Sequence, residues 1–318
     1  MSMLERVLAR LLPRLPDALV QRMAPPITLR DRILDPRMSL VVRSAASKAP
    51  FHRQSVGAAR QATRQGLASL DAAPRPMLRV ERRIVGREDA KTHARIYHPA
   101  GLGGPRPLVL YFHQGGCVIG DLDWCETFCT ILASIARCRV AAVAYRLAPE
   151  HPFPAAHDDA WEAYRWACAH AAEIEGDPAR IVVAGDSAGG NLAVNVALRA
   201  RSENLPMPAA QLLVYPWLTL RSADDDAYAE FRDTYPLDAD DLSGLPPSII
   251  ATAGFDPLCD EGEAFASRLE SAGVPVTFRC FDSLPHSFTA MSGAIPAARR
   301  ALEEIAWDLE SVLTRPPG

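Results

Sequence analysis

The chain has 318 residues, 48% hydrophobic, 7% aromatic and 23% charged, with a formal net charge of −4, enough for one large core or two small ones. This excludes a disordered chain, a collagen-like chain and a small disulfide scaffold, and no run approaches the ~18–20 uninterrupted apolar residues of a membrane span. Lys and Arg outnumber Asp and Glu by 19 to 8 in the first 100 residues and trail by 15 to 30 thereafter; dispersed, Arg-dominated basic residues point away from nucleic acid and toward a basic N-terminal segment lying on an acidic core.

Leu4, Leu8, Leu11 and Leu15 fall on a helical beat that Arg6, Arg10 and Arg14 interrupt, so no signal-peptide h-region is expected. Residues 1–76 read as helices broken by Pro13, Pro16, Pro25-Pro26, Pro36 and Pro50, ending at Pro74-Arg75-Pro76. Strand-like runs follow at 79–85, 92–97, 108–112, 140–145, 181–184, 211–215, 248–252 and 274–281. Helical segments fall at 126–137, 157–175, 188–203, 260–272 and 296–313. Two strands followed by repeated strand–helix units predict a mostly parallel sheet with helices on both faces. In such a sheet the chemistry sits in loops at the strands' carboxyl ends. Seven cysteines scattered from Cys117 to Cys280 suggest reduced thiols and a cytoplasmic protein.

Gly185-Asp186-Ser187-Ala188-Gly189 follows one apolar strand and opens a helical run. Strand, sharp turn, serine and helix form the setting of a nucleophile elbow, in which Ser187 is expected in a strained conformation between small residues. Serine needs a base, and the base needs an orienter. In this arrangement the acid and the histidine come later in the chain. Asp256 follows the strand at 248–252, and His286 follows the strand at 274–281. Asp282 also follows that last strand but lies only four residues before His286, so Asp256 is preferred. His113-Gln114-Gly115-Gly116 directly follows the strand at 108–112. Glycines there let backbone N–H groups approach a developing oxyanion, with Ala188 supplying one more.

These motifs, with Tyr145-Arg146-Leu147-Ala148-Pro149-Glu150, His151-Pro152-Phe153-Pro154-Ala155-Ala156 and Asp256-Pro257-Leu258, resemble the hormone-sensitive-lipase-like family of bacterial esterases over about residues 78–315. The resemblance implies an α/β-hydrolase fold with an eight-stranded, mostly parallel sheet. Residues 1–76 would form an N-terminal helical cap and 77–318 the catalytic core. It implies Ser187, Asp256 and His286 as the triad, and Gly115, Gly116 and Ala188 as oxyanion-hole donors. The chain departs from the family at three points. Gln114 occupies the first glycine position of a His-Gly-Gly-Gly motif, so the loop survives only if Gln114 accepts a glycine's backbone angles. Cys117 replaces a bulky aromatic, and reads as pocket lining in preference to a reactive thiol. The stretch 217–247 is a shortened cap insert, about thirty residues less than usual. Gln114, Cys117 and Asp186 are the candidates for the substrate pocket.

The expected activity is a cofactor-independent serine carboxylesterase acting on small short- to medium-chain esters, losing rate on acidification as His286 protonates. A homodimer is admitted; stable membrane insertion is not expected. Two rival readings share the frame: a non-catalytic ligand-binding protein, and an acyltransferase or amidase using the same triad. Cys125, Cys129 and Cys138 lack a second pair at metal-site spacing, and the acids between Asp224 and Asp241 read as a solvated loop, so no metal is expected.

Overall fold

The structure, a computed structural model, describes residues 11–45, 53–86, 92–219 and 241–314. The early prolines set the N-terminal elements. Helix α1 (Asp17–Met23) follows Pro16, α2 (Pro36–Ala45) starts on Pro36, and α3 (Val56–Leu67) starts after Ser55, whose Oγ accepts from Ala58 N. Proline suits a first turn because the N–H it lacks would have no helical partner. Asp35 Oδ1 accepts from Arg37 N at 2.8 Å and caps α2. One element departs from the all-helical expectation: Thr28–Leu29 (β1) and Arg32–Ile33 (β2) form a short antiparallel hairpin. Its four residues are too few for a sequence pattern to register.

The main sheet has eight strands: β3 (Arg79–Ile84), β4 (His93–His98), β5 (Arg106–Phe112), β6 (Arg139–Ala144), β7 (Gly176–Asp186), β8 (Ala210–Val214), β9 (Ser248–Phe255) and β10 (Val276–Pro285). Their order is β10-β9-β8-β7-β5-β6-β4-β3. The six strands from β10 to β6 are mutually parallel, while β4 runs antiparallel to both its neighbours. Successive side chains alternate between two dry faces. Leu108, Leu110 and Phe112 pack on one side, Val109 and Tyr111 on the other, and all five are fully buried. β7 is longer than the apolar run at 181–184 because Gly176 pairs with Arg106 ahead of a register shift.

Helices α4 (Leu122–Ile135) and α8 (Pro296–Thr314) cover one face together with Leu12, Leu34 and Met38 of the N-terminal segment. Helices α5 (Ala155–His170), α6 (Ala188–Ser202) and α7 (Cys259–Ser271) cover the other. The N-terminal segment is fastened to the far end of the chain. Arg32 Nε pairs with Asp282 at 2.9 Å, Asp35 N donates to Ser283 O, and Gly293 N and Ala294 N donate to Leu70 O. Arg75 pairs with Glu303 at 2.8 Å. From α3, Arg60 donates to Val118 O at 2.9 Å, to Ala148 O at 3.0 Å and, through two nitrogens, to the Glu150 carboxylate. The shortened cap insert falls largely at residues 220–240, outside the described residues.

Candidate active site

β7 lies inside the parallel sheet between β5 and β8, and its last residue, Asp186, hands the chain to Ser187. Ser187 has φ 54° and ψ −120°, a conformation that costs a non-glycine residue on the order of 1–3 kcal/mol. The surroundings hold it there. Ser187 N donates to Val214 O at 2.9 Å, and Ser187 O accepts from Gly190 N, Asn191 N and Trp217 N. The flanking glycines are sterically required: a Cβ on Gly185 would stand 2.2 Å from Gly189 C, and one on Gly189 would stand 1.9 Å from Phe112 O.

Asp256 leaves the end of β9 and His286 the end of β10, on the same sheet edge as Ser187. His286 Nδ1 lies 2.7 Å from Asp256 Oδ2, and His286 Nε2 lies 3.0 Å from Ser187 Oγ. A carboxylate can only accept, so this pairing puts the ring proton on Nδ1 and leaves the Nε2 lone pair for the Ser187 hydroxyl proton. The Asp256 side chain is fully buried, and Leu258 N donates to its other oxygen at 2.8 Å. The imidazole is 32% exposed at its side chain, and the Tyr215 ring packs 4.7 Å from it. Asp282 is turned outward onto Arg32 instead.

The loop after β5 takes its tight turn at Gly115 (φ 129°), Gly116 (φ 62°) and Cys117 (φ 57°). Gly115 cannot be replaced without a clash, because its Cβ would meet Ile119 O at 2.0 Å. The loop abuts the start of α6, where Gly189 touches the Phe112 and His113 carbonyls. Ala188 opens α6, so its N–H has no acceptor within the helix. Gln114 does not take a glycine's backbone angles. The non-glycine residue at positive φ in this loop is Cys117. Below the loop, Tyr145 donates to His113 O at 2.6 Å and its ring stacks on His113, whose burial pushes the imidazole below its usual range.

Two of the three pocket candidates need correction. Gln114 and Asp186 are 4% and 1% exposed and offer almost no surface to a ligand. Their side chains bond inward, Gln114 to Ser287 and Thr289, and Asp186 to Tyr215 and Thr289. Adjacency in sequence to the oxyanion loop and to Ser187 does not decide which way a side chain turns, and both of these turn into the protein. Cys117 stays partly exposed, with burial pushing its thiol up to about 12. Tyr215 and Thr289 did not stand out in the sequence, although both follow strands that end at this edge. Arg60 had no local signal at all, since it reaches the site from 90 residues before Glu150.

A family model described as alpha/beta hydrolase fold matches residues 109–290. Esterase LipI of Mycobacterium tuberculosis is 38% identical over 296 residues, covering 84% of this chain and 92% of its own. Carboxylesterase NlhH of the same organism is 39% identical over 256 residues, covering 71% and 80%. Among solved structures, an alpha/beta hydrolase enzyme from the metagenome of Lake Arreo superposes with TM-score 0.78 at 30% identity, covering 86% of this chain and 95% of that one. An esterase of Pyrobaculum calidifontis superposes with TM-score 0.75 at 31% identity, covering 86% and 99%.

Proposed function

Since the chain belongs to the hormone-sensitive-lipase-like family of α/β-hydrolases and is a carboxylic ester hydrolase, we propose that it cleaves short- to medium-chain esters through a Ser187-His286-Asp256 triad and an acyl-enzyme. The observation that carries the proposal is the unbroken line of hydrogen bonds from Asp256 through His286 to Ser187, at 2.7 and 3.0 Å, on a strained elbow.

Ser187 Oγ attacks the ester carbonyl carbon as its proton passes to His286 Nε2. Asp256 holds the ring and balances the charge it acquires. The carbonyl π pair moves to oxygen, and the N–H groups of Gly115, Gly116 and Ala188 receive that oxyanion. Losing one such donor typically costs ~10²–10³ in rate. Collapse breaks the ester C–O bond, and the Nε2 proton leaves with the alcohol. Water then repeats the sequence on the acyl-enzyme, giving its proton to His286 and releasing the acid and Ser187. No step draws on a cofactor or a metal.

Residues 1–76 act as the cap over this edge, which the fastenings of Arg32, Asp35, Arg60 and Leu70 support. Seven free thiols support a reducing, cytoplasmic setting. No helix among the described residues is long and apolar enough to cross a membrane.

Hydrolysis of p-nitrophenyl acetate, butyrate and octanoate by wild type and Ser187→Ala tests the proposal. Turnover that disappears in the variant supports it and gives the acyl range. Turnover that survives the substitution, or a folded wild type inert on all three, overturns it. Adding a competing alcohol separates transfer from hydrolysis.

A further inference from the structure

Four side chains outside the triad, Gln114, Asp186, Ser287 and Thr289, form one hydrogen-bonded network beside the proposed machinery. Gln114 precedes Gly115 and Gly116, Asp186 precedes Ser187, and Ser287 and Thr289 follow His286. Ser287 Oγ donates to Gln114 Oε1 at 2.5 Å, and Gln114 Nε2 donates to Thr289 Oγ1 at 3.3 Å. Thr289 Oγ1 donates to Asp186 Oδ2 at 2.8 Å, and Tyr215 OH donates to the same oxygen at 2.9 Å. We propose that Gln114 is a positioning residue of the esterase, joining the oxyanion loop to the turn that carries His286 and, through Thr289, to the nucleophile elbow. The inference rests on the Ser187-His286-Asp256 reading above.

Ser287 adopts φ 64° and ψ 21°, a left-handed conformation that is strained without a Cβ-free residue. A bond to Gln114 holds that turn, and the turn sets the direction of His286. Gln114 Oε1 accepts from Ser287 and Gln114 Nε2 donates to Thr289, so a single amide ties the loop to two points of the turn after His286. Loop closure across 173 residues of chain gives no such registration by itself. Attack on the carbonyl and capture of the oxyanion must occur on one substrate at once. The loop and the imidazole therefore have to keep a fixed separation, and a misplacement of 1 Å can cost ~10² in rate. If Gln114 merely filled space, its loss would change stability and leave turnover alone.

Steady-state kinetics on p-nitrophenyl butyrate with thermal melts, for wild type, Ser187→Ala, Gln114→Ala, Gln114→Gly, Ser287→Ala and the Gln114→Ala/Ser287→Ala double variant, test the proposal. Gln114→Ala is expected to lower kcat by roughly 10–100-fold with KM within about twofold. Ser287→Ala should lower kcat in the same direction, and the double variant should be no slower than Gln114→Ala, since both single changes break one bridge. Gln114→Gly should be slower than wild type as well. Should Gln114→Ala fail to fold, Ser287→Ala, which removes one oxygen atom, carries the same test. An active wild type with inert Ser187→Ala but unchanged kcat in the Gln114 and Ser287 variants overturns this inference alone, as does full additivity or a faster Gln114→Gly. Turnover surviving in Ser187→Ala overturns the triad reading and this inference with it.

Discussion

Gly189→Ala adds one methyl group where the start of α6 meets the end of β5. The new Cβ would stand 1.9 Å from Phe112 O, 2.5 Å from Phe112 C and 2.8 Å from His113 O. An ordinary contact needs well over 3 Å, so the two backbones must part by more than 1 Å, and neither is a flexible side chain that could swing aside. Overpacking of a core typically costs 1–3 kcal/mol, and a clash between backbones belongs at the top of that range, about 3 kcal/mol. At about 2 °C per kcal/mol for a chain of this size, Tm should fall by about 6 °C. The activity loss should be larger in proportion, because the displaced parts are the oxyanion loop and the helix that begins at Ala188. A 1 Å shift of that kind costs on the order of 10² in kcat. Gly66→Ala is the control: it lies in α3 with nothing within 4 Å of a Cβ. It should raise stability by about 0.5–1 kcal/mol through lost unfolded-state freedom and leave kcat as it is. Differential scanning calorimetry and p-nitrophenyl butyrate turnover on the two variants decide the matter. A Gly189→Ala enzyme with wild-type Tm and kcat would refute the claim that this contact sets the loop.

Asp256→Asn should lower kcat by about 10⁴, because Leu258 N holds the oxygen and leaves an amide N–H facing the imidazole where a carboxylate oxygen accepted, whereas Asp282→Asn, which weakens an exposed pair with Arg32, should lower it less than tenfold; similar losses would reassign the acid. Arg60→Ala should lower Tm more than Glu150→Ala, because Arg60 also caps the Val118 and Ala148 carbonyls; equal shifts on calorimetry would show that those two bonds contribute nothing. The same ion pair holds the Glu150 carboxyl down to about 2, so its contribution is present above the usual carboxylate range and fades as pH falls toward 2. Burial lowers the imidazole pKa of His113 and His157. The unfolded chain therefore binds these protons near pH 6.5 before the folded one does, and their stabilising effect is lost as pH falls below about 6.5. Melts at pH 7, 6 and 5 should show a declining Tm that His157→Gln makes shallower; an unchanged slope would remove His157 from that account.

The parallel sheet was legible because both its faces are dry, so each strand appears as a short apolar run whatever its neighbours do. β5 and β8 are the clearest cases. The order of Ser187, Asp256 and His286 was legible for a related reason: successive parallel strands deliver their loops to one edge, and each residue directly follows a strand. β1 and β2 were not legible, since two residues per strand leave no period to detect and their docking beside Asp282 depends on residues 250 positions away. The inward turn of Gln114 was hidden for the same reason. A sequence motif marks where a loop is tight, while the direction of its side chains depends on what the rest of the chain places behind it, here Ser287 and Thr289.

The fastening of the N-terminal segment to residues near the other end of the chain has a consequence for synthesis. Arg75 and Glu303 are 228 positions apart, and Asp35 N, Leu70 O and the Asp71 carboxylate likewise bond to residues between 283 and 294. At roughly 5–20 residues per second, the ribosome needs on the order of 10–45 s to make the intervening chain. Until then the cluster that holds Leu34 and Met38 lacks its C-terminal members, Ala298, Leu302 and Ile305 among them. The nascent chain thus carries an incompletely covered apolar cluster through much of its own production, a window in which chaperones that hold unfolded segments have something to bind.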